Sequence, residues 1–193
     1  FQDLLRPLCK RLASAGVTAN QVTLLALALS VAEGLALWVF PGAFWPLILL
    51  PVILFVRMGL NAIDGMLARE HDQKSDLGAI LNELGDVLSD AALYLPFAAL
   101  PFFPGELVVG LVVLAIIGEM TGVIAVQIGA SRRYDGPFGK SDRAALFGLC
   151  GALVAFGLTL ELFFAILMGL GVLLSAVTIW NRGKNALGEL ETQ

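Results

Sequence analysis

Residues 61–90 read N-A-I-D-G-M-L-A-R-E-H-D-Q-K-S-D-L-G-A-I-L-N-E-L-G-D-V-L-S-D, with long apolar runs on either side. Asn61, Asp64, Gly65 and Ala68 fall at i, i+3, i+4 and i+7, so on a helix they share one face. Gly78, Asn82, Asp86 and Asp90 follow at four-residue steps and line a second helix in the same way. A short charged loop, 69–76, joins the two. The pattern predicts two polar stripes, edged with small residues, that face one another. Polar groups inside an apolar helical protein are costly and mark a site.

The surroundings of this stretch set the fold class. The chain has 193 residues, of which 58% are hydrophobic and only 15% charged. That is too apolar for a soluble domain and too short for two, so one membrane domain over 1–193 is expected. The net charge of -4 says little, because charges on a membrane protein act locally. Cys9 and Cys150 are far apart without a metal-ligand spacing and are expected to be free thiols. No internal repeat is apparent.

The apolar runs predict an all-α integral membrane protein with six transmembrane helices and a short N-terminal amphipathic interfacial helix. The segment 1–20 is that surface helix, its basic face (Arg6, Lys10, Arg11) turned towards anionic lipid. Thr18 or Asn20 is suited to cap the next helix. The spans are expected at about 21–40, 44–68, 77–99, 106–128, 144–160 and 162–180. Phe40-Pro41-Gly42, Pro96, Pro101 and Pro104-Gly105 supply the stops and breaks. The loop 129–143 is rich in glycine and cations, and the tail after Trp180 is expected to fray. Trp38, Trp45 and Trp180 lie near span ends as interface anchors.

Lysine and arginine predict the orientation. In a six-span chain Arg6, Lys10, Arg11, Arg69, Lys74, Arg132, Arg133, Lys140, Arg143, Arg182 and Lys184 fall on one side, and the opposite connections carry none. Both termini and the motif are therefore expected on the cytoplasmic side, in a bacterial inner membrane.

The motif resembles that of the CDP-alcohol phosphatidyltransferase family, D-x2-D-G-x2-A-R-x8-G-x3-D-x3-D. Asp64, Gly65, Ala68, Arg69, Gly78 and Asp86 match at the family spacing, while Asn61 and Asn82 stand where the family has aspartates. The six spans, the basic N-terminal segment and G-V-T-A-N-Q-V-T before the first span resemble the family too. The resemblance implies transfer of a phosphatidyl group from CDP-diacylglycerol, or another CDP-alcohol, to a small alcohol, phosphorylated ones included, with release of CMP. It implies Mg²⁺ or Mn²⁺ as cofactor, Asp86 as general base, and a homodimer. Membrane lipids are expected partners and nucleic acid is not.

The residue types suit that chemistry. Hard divalent ions take oxygen ligands, which Asp64 and Asp86 supply with charge and Asn61 and Asn82 without. The site is two charges less negative than the family pattern, which predicts weaker metal binding or one metal in place of two. Gly65, Ala68 and Gly78 keep the facing surfaces low, either for close helix packing or, at family spacing, for a nucleotide pocket. Arg69 pairs with the diphosphate or anchors the helix end. Asp90, about 6 Å beyond Asp86 at 1.5 Å per residue, is expected to buttress the site. Glu33 and Glu119 lie within spans, and Arg57 is the expected partner of one of them. Arg132, Arg133, Lys140 and Arg143 serve either topology or an acceptor pocket for an anionic alcohol. The alternative to an enzyme is a catalytically impaired relative that binds nucleotide or lipid or supports a partner.

Overall fold

The computed structural model describes residues 2–192, and among them there is no strand. The helices are α1 (Gln2–Ser14), α2 (Ala19–Val39), α3 (Phe44–Glu70), α4 (Asp76–Tyr94), α5 (Gly105–Gln127), α6 (Lys140–Ala155) and α7 (Glu161–Glu191), with a 3-10 turn at Leu95–Ala99. Thr18 opens α2 in a capping box: its hydroxyl accepts from the Gln21 amide at 3.2 Å, and Gln21 Oε1 accepts from the Thr18 amide at 3.0 Å. Gly42, at φ +75°, makes the reversal into α3. Ser75 caps α4, and Pro96 lies in the 3-10 turn that follows it.

Among the described residues four helices, α2, α3, α5 and α7, are long and apolar enough to cross a membrane. The other two expected spans differ for physical reasons. Helix α4 carries Asp76, Glu83, Asp86 and Asp90, the polar stripe itself. Helix α6 has 16 residues, or about 24 Å at 1.5 Å each, short of a hydrocarbon core about 30 Å thick. It also begins at Lys140 rather than near 144, because Asp142 Oδ2 accepts from the Gly139 amide at 2.7 Å and caps it. The tail does not fray: α7 runs on to Glu191, with Arg182 and Ala186 buried.

Packing places the motif at one end. Helix α2 lies against both α3 and α4, α3 against α6, and α5 against α7. At Gly34 the α2 backbone comes so close to α4 that a Cβ would stand 2.3 Å from the Ala92 carbonyl oxygen. The larger core gathers around stacked Tyr94 and Phe147, 4.2 Å between ring centroids, and Phe103 and Phe164, 4.3 Å apart. A smaller cluster of Cys9, Ala19, Val22, Ile63, Met66 and Leu67 fastens α1 and the start of α2 to the end of α3. Arg6 of α1 donates to Glu70 at 3.3 Å and Asp3 at 2.6 Å, while Lys10 and Arg11 remain exposed. The segment 1–20 begins one residue outside the described ones. Both cysteines are free and buried, and Trp38, Trp45 and Trp180 are exposed.

Candidate active site at the α3–α4 motif

The two polar stripes meet across a cavity of about 620 Å³. Asn61, Asp64, Gly65, Ala68 and Arg69 of α3 line it, as do Gly78, Asn82 and Asp86 of α4. The start of α2 forms a third wall with Asn20 and Thr23. Gln73 closes the loop side: its Oε1 accepts from the Ala19 amide at 2.7 Å and its Nε2 donates to the Val17 carbonyl at 3.3 Å. The small residues are needed for the space. A Cβ at Gly78 would lie 2.8 Å from Asn20 Oδ1 and 3.0 Å from Ser75 Oγ, and one at Gly65 would meet the Arg69 guanidinium at 3.0 Å.

The two motif carboxylates are held differently. Asp64 Oδ2 accepts from the Thr23 hydroxyl at 2.7 Å, which orients it from α2. Asp86 lies under three donors: Asn61 Nδ2 at 2.8 Å and Arg57 Nη2 at 3.2 Å on Oδ1, and the Lys140 ammonium on Oδ2. A second cavity of about 380 Å³, lined by Glu119, Gly136, Asp142 and Arg182 among others, shares Asn61, Tyr134 and Lys140 with the first. Asp86 therefore stands close to where the two spaces meet.

Behind the cavity runs a buried chain of alternating charges. Arg57 Nη1 donates to Asp90 at 2.6 Å, and Arg143 donates to Asp90 at 2.8 and 3.0 Å and to Glu119 at 3.2 Å. Arg132 donates to Glu119 at 3.0 Å and to both oxygens of Glu83, at 3.0 and 2.8 Å. Arg182 lies 3.4 Å from Glu119 and donates to the Gly118 carbonyl at 2.6 Å. Charges buried in this way persist only when paired, since desolvation is expensive. Arg57 thus partners Asp86 and Asp90 of α4, not Glu33 or Glu119, and Glu119 is taken instead by Arg132, Arg143 and Arg182. Glu33 is buried, with Oε1 unpartnered among the described residues.

Of the four cations expected in an acceptor pocket, the structure brings only Lys140 to a cavity wall. Arg132 and Arg143 are engaged by Glu83, Asp90 and Glu119. Arg133 is engaged by Asp135 at 2.7 Å and Glu189 at 2.9 Å, and its hydrogen bond holds the Asp135 carboxyl below the usual carboxylate range. Arg182, unremarked in the sequence beyond topology, lines the second cavity instead. Thr23 was legible only as the end of G-V-T-A-N-Q-V-T, and Gln73 only as one polar residue of the loop 69–76. The Lys140–Asp86 contact spans 54 residues and left no local sign.

The oxygen-bearing wall suits a hard cation in kind, though not in charge. Among the described residues no three His, Cys, Asp or Glu side chains come together as a metal cluster. Two carboxylates and two amides are present, and with its NH₂ given to Asp86, Asn61 keeps its carbonyl oxygen for another partner. The donor atoms are of the kind that a hard divalent ion takes.

The CDP-alcohol phosphatidyltransferase family model matches residues 16–180, a range that contains the whole cavity motif. The chain belongs to this family. It is 54% identical over 157 residues to inner membrane protein YnbA of Escherichia coli K12, covering 80% of this chain and 77% of that protein. Its fold is similar to that of Mycobacterium tuberculosis phosphatidylinositol phosphate synthase in complex with manganese and citrate, with TM-score 0.75 and 22% identity over 94% of this chain and 88% of that one. The same synthase with CDP-DAG bound matches at TM-score 0.72 and 22% identity, over 93% and 92%.

Proposed function

We propose that this protein transfers the phosphatidyl group of CDP-diacylglycerol to a small alcohol, phosphorylated ones included, and releases CMP. The observation that carries the reading is the 620 Å³ cavity walled by the family motif at family spacing. Gly65, Ala68 and Gly78 leave room for the cytidine and its phosphates, and Arg69 and Lys74 offer charge to the diphosphate from the same wall. Asn61, Asp64, Asn82 and Asp86 are the residues that would hold Mg²⁺ or Mn²⁺. When bound, the ion offsets the negative charge at phosphorus and stabilises the leaving CMP. Asp86 accepts the proton of the attacking hydroxyl, and Asn61 and Lys140 hold its carboxylate between the donor and acceptor spaces. Lys140 and Arg182 give the acceptor cavity its attraction for an anionic alcohol, with Arg132, Arg133 and Arg143 behind it as structural support.

The protein is placed in a bacterial inner membrane as one domain and a homodimer. In this reading α4 and the short α6, packed against α2 and α3, cross with the four long helices, and six crossings put both termini and the site on the cytoplasmic side. The test is incubation with radiolabelled CDP-diacylglycerol and a panel of alcohols. CMP and a new phospholipid should form in equal amounts with one acceptor class. CMP release that no alcohol alters contradicts transfer. A second reading, a relative that binds without transferring, is favoured by one observation: every oxygen of Asp86 already has a donor on it.

A further inference from the structure

The two cavities of the site share three residues, Asn61, Lys140 and Tyr134. Asn61 and Lys140 both donate to Asp86, so the junction of the two spaces lies beside that carboxylate. Tyr134 comes from the loop between α5 and α6, and among the described residues it is the only aromatic side chain on either cavity wall. Its ring lies over the Arg132 guanidinium, 4.7 Å to the ring centroid, and the residue is 65% exposed. A single exposed ring signifies little by itself. Here the backbone that carries it is braced on both sides. Before it, Arg132 is held by Glu83 and Glu119, and the Arg133 amide donates to the Gly122 carbonyl at 3.3 Å. After it, Gly136 turns at φ +117° so close to α7 that a Cβ would stand 2.6 Å from Thr178 Cγ2. The Phe138 amide then donates to Thr178 Oγ1 at 3.0 Å. Tyr134 is thus carried to the junction on a fixed support.

We infer that Tyr134 is the water-excluding wall of the reaction centre. Its exposed ring is covered by the diphosphate end of the donor in one cavity and by the acceptor in the other, and it closes the junction beside Asp86 to bulk water. Water competes with the alcohol at this point. Attack by water on the phosphorus breaks the same phosphoanhydride bond and leaves phosphatidate and CMP in place of the phospholipid, with the proton passing to Asp86 as it does from an alcohol. A tyrosine suits the place, because its ring is apolar and its hydroxyl tolerates a wet edge. The inference rests on the phosphatidyltransferase reading and names the residue that separates transfer from hydrolysis.

The test uses the full chain in detergent and has two arms. In the first, Tyr134→Cys is labelled with a charged maleimide, while Cys9 and Cys150 are buried and stay unlabelled. CDP at about ten times its Kd for that variant should slow the labelling about tenfold, because the unoccupied fraction falls in proportion. Ser131→Cys, exposed on the same loop but outside both cavities, should label within about twofold of its rate without CDP. In the second arm the products from CDP-diacylglycerol are resolved with an acceptor present. Tyr134→Ala should raise the phosphatidate formed per phospholipid about tenfold, and Tyr134→Phe, which keeps the ring, should stay within about twofold of the wild type. Labelling of Tyr134→Cys that CDP leaves unchanged, or a Tyr134→Ala protein with the wild-type product ratio, overturns the inference. A wild type that releases no CMP sinks the transferase reading instead, and the labelling, which needs no turnover, still decides whether Tyr134 covers the occupied cavity.

Discussion

Replacing Asp90 by alanine should cost the protein several kilocalories per mole, although Asp90 lies outside both cavities. The residue is 4% exposed, and its carboxylate accepts from Arg57 at 2.6 Å and from Arg143 at 2.8 and 3.0 Å. Removing it leaves two buried guanidiniums, one relying on Asp86 and the other on Glu119. Breaking a buried pair on one side typically costs about 3–5 kcal/mol, because the remaining charge stays desolvated. The exposed pair of Arg6 with Asp3 is a control inside the same molecule, since such pairs contribute about 0–1 kcal/mol. Unfolding in mixed detergent micelles, followed by circular dichroism, should therefore separate Asp90→Ala from Asp3→Ala by about 3 kcal/mol or more. Asp90→Ala should also weaken the site, because Arg57 turns wholly to Asp86 and competes with Lys140. An Asp90→Ala protein as stable as Asp3→Ala would refute the buried charge chain.

Three further outcomes follow from geometry. Gly78→Val should leave the protein folded but lower CDP affinity at least about tenfold, measured by calorimetry, since even its Cβ meets Asn20 at 2.8 Å. Gly34→Val should instead destabilise by about 1–3 kcal/mol or more, because the obstacle is the Ala92 backbone, which has little room to yield; unfolding curves check it. Cysteines introduced at Ser75 and Gly105 should label from opposite sides of the membrane, and labelling from one side would remove the six-span arrangement.

The motif's spacing carried more information than its residue types. The i, i+3, i+4, i+7 rule put Asn61, Asp64, Gly65 and Ala68 on one face, and all four line the cavity. What spacing cannot encode is pairing between distant elements. Arg57 reaches Asp90 across 33 residues and Arg143 reaches it across 53, so the sequence showed cations and acids without their partners. The cluster at 132–143 accordingly looked like free positive charge, although all four members pair with acids of α4, α5, α7 or their own loop. Local punctuation also misled. G-P-F-G before Lys140 reads as loop, yet Asp142 caps a helix directly after it. The polar tail after Trp180 reads as frayed, yet Arg182 is held by the Gly118 and Asp135 carbonyls and keeps α7 helical.

The most direct test compares CMP release from CDP-diacylglycerol by the wild type, Asp86→Asn and Asn61→Asp/Asn82→Asp, each with the same acceptor panel. A working transferase built around two carboxylates predicts measurable wild-type turnover that is lost in Asp86→Asn, with no gain required in the double variant. Silence in the wild type, with activity appearing only when both aspartates are supplied, would contradict it.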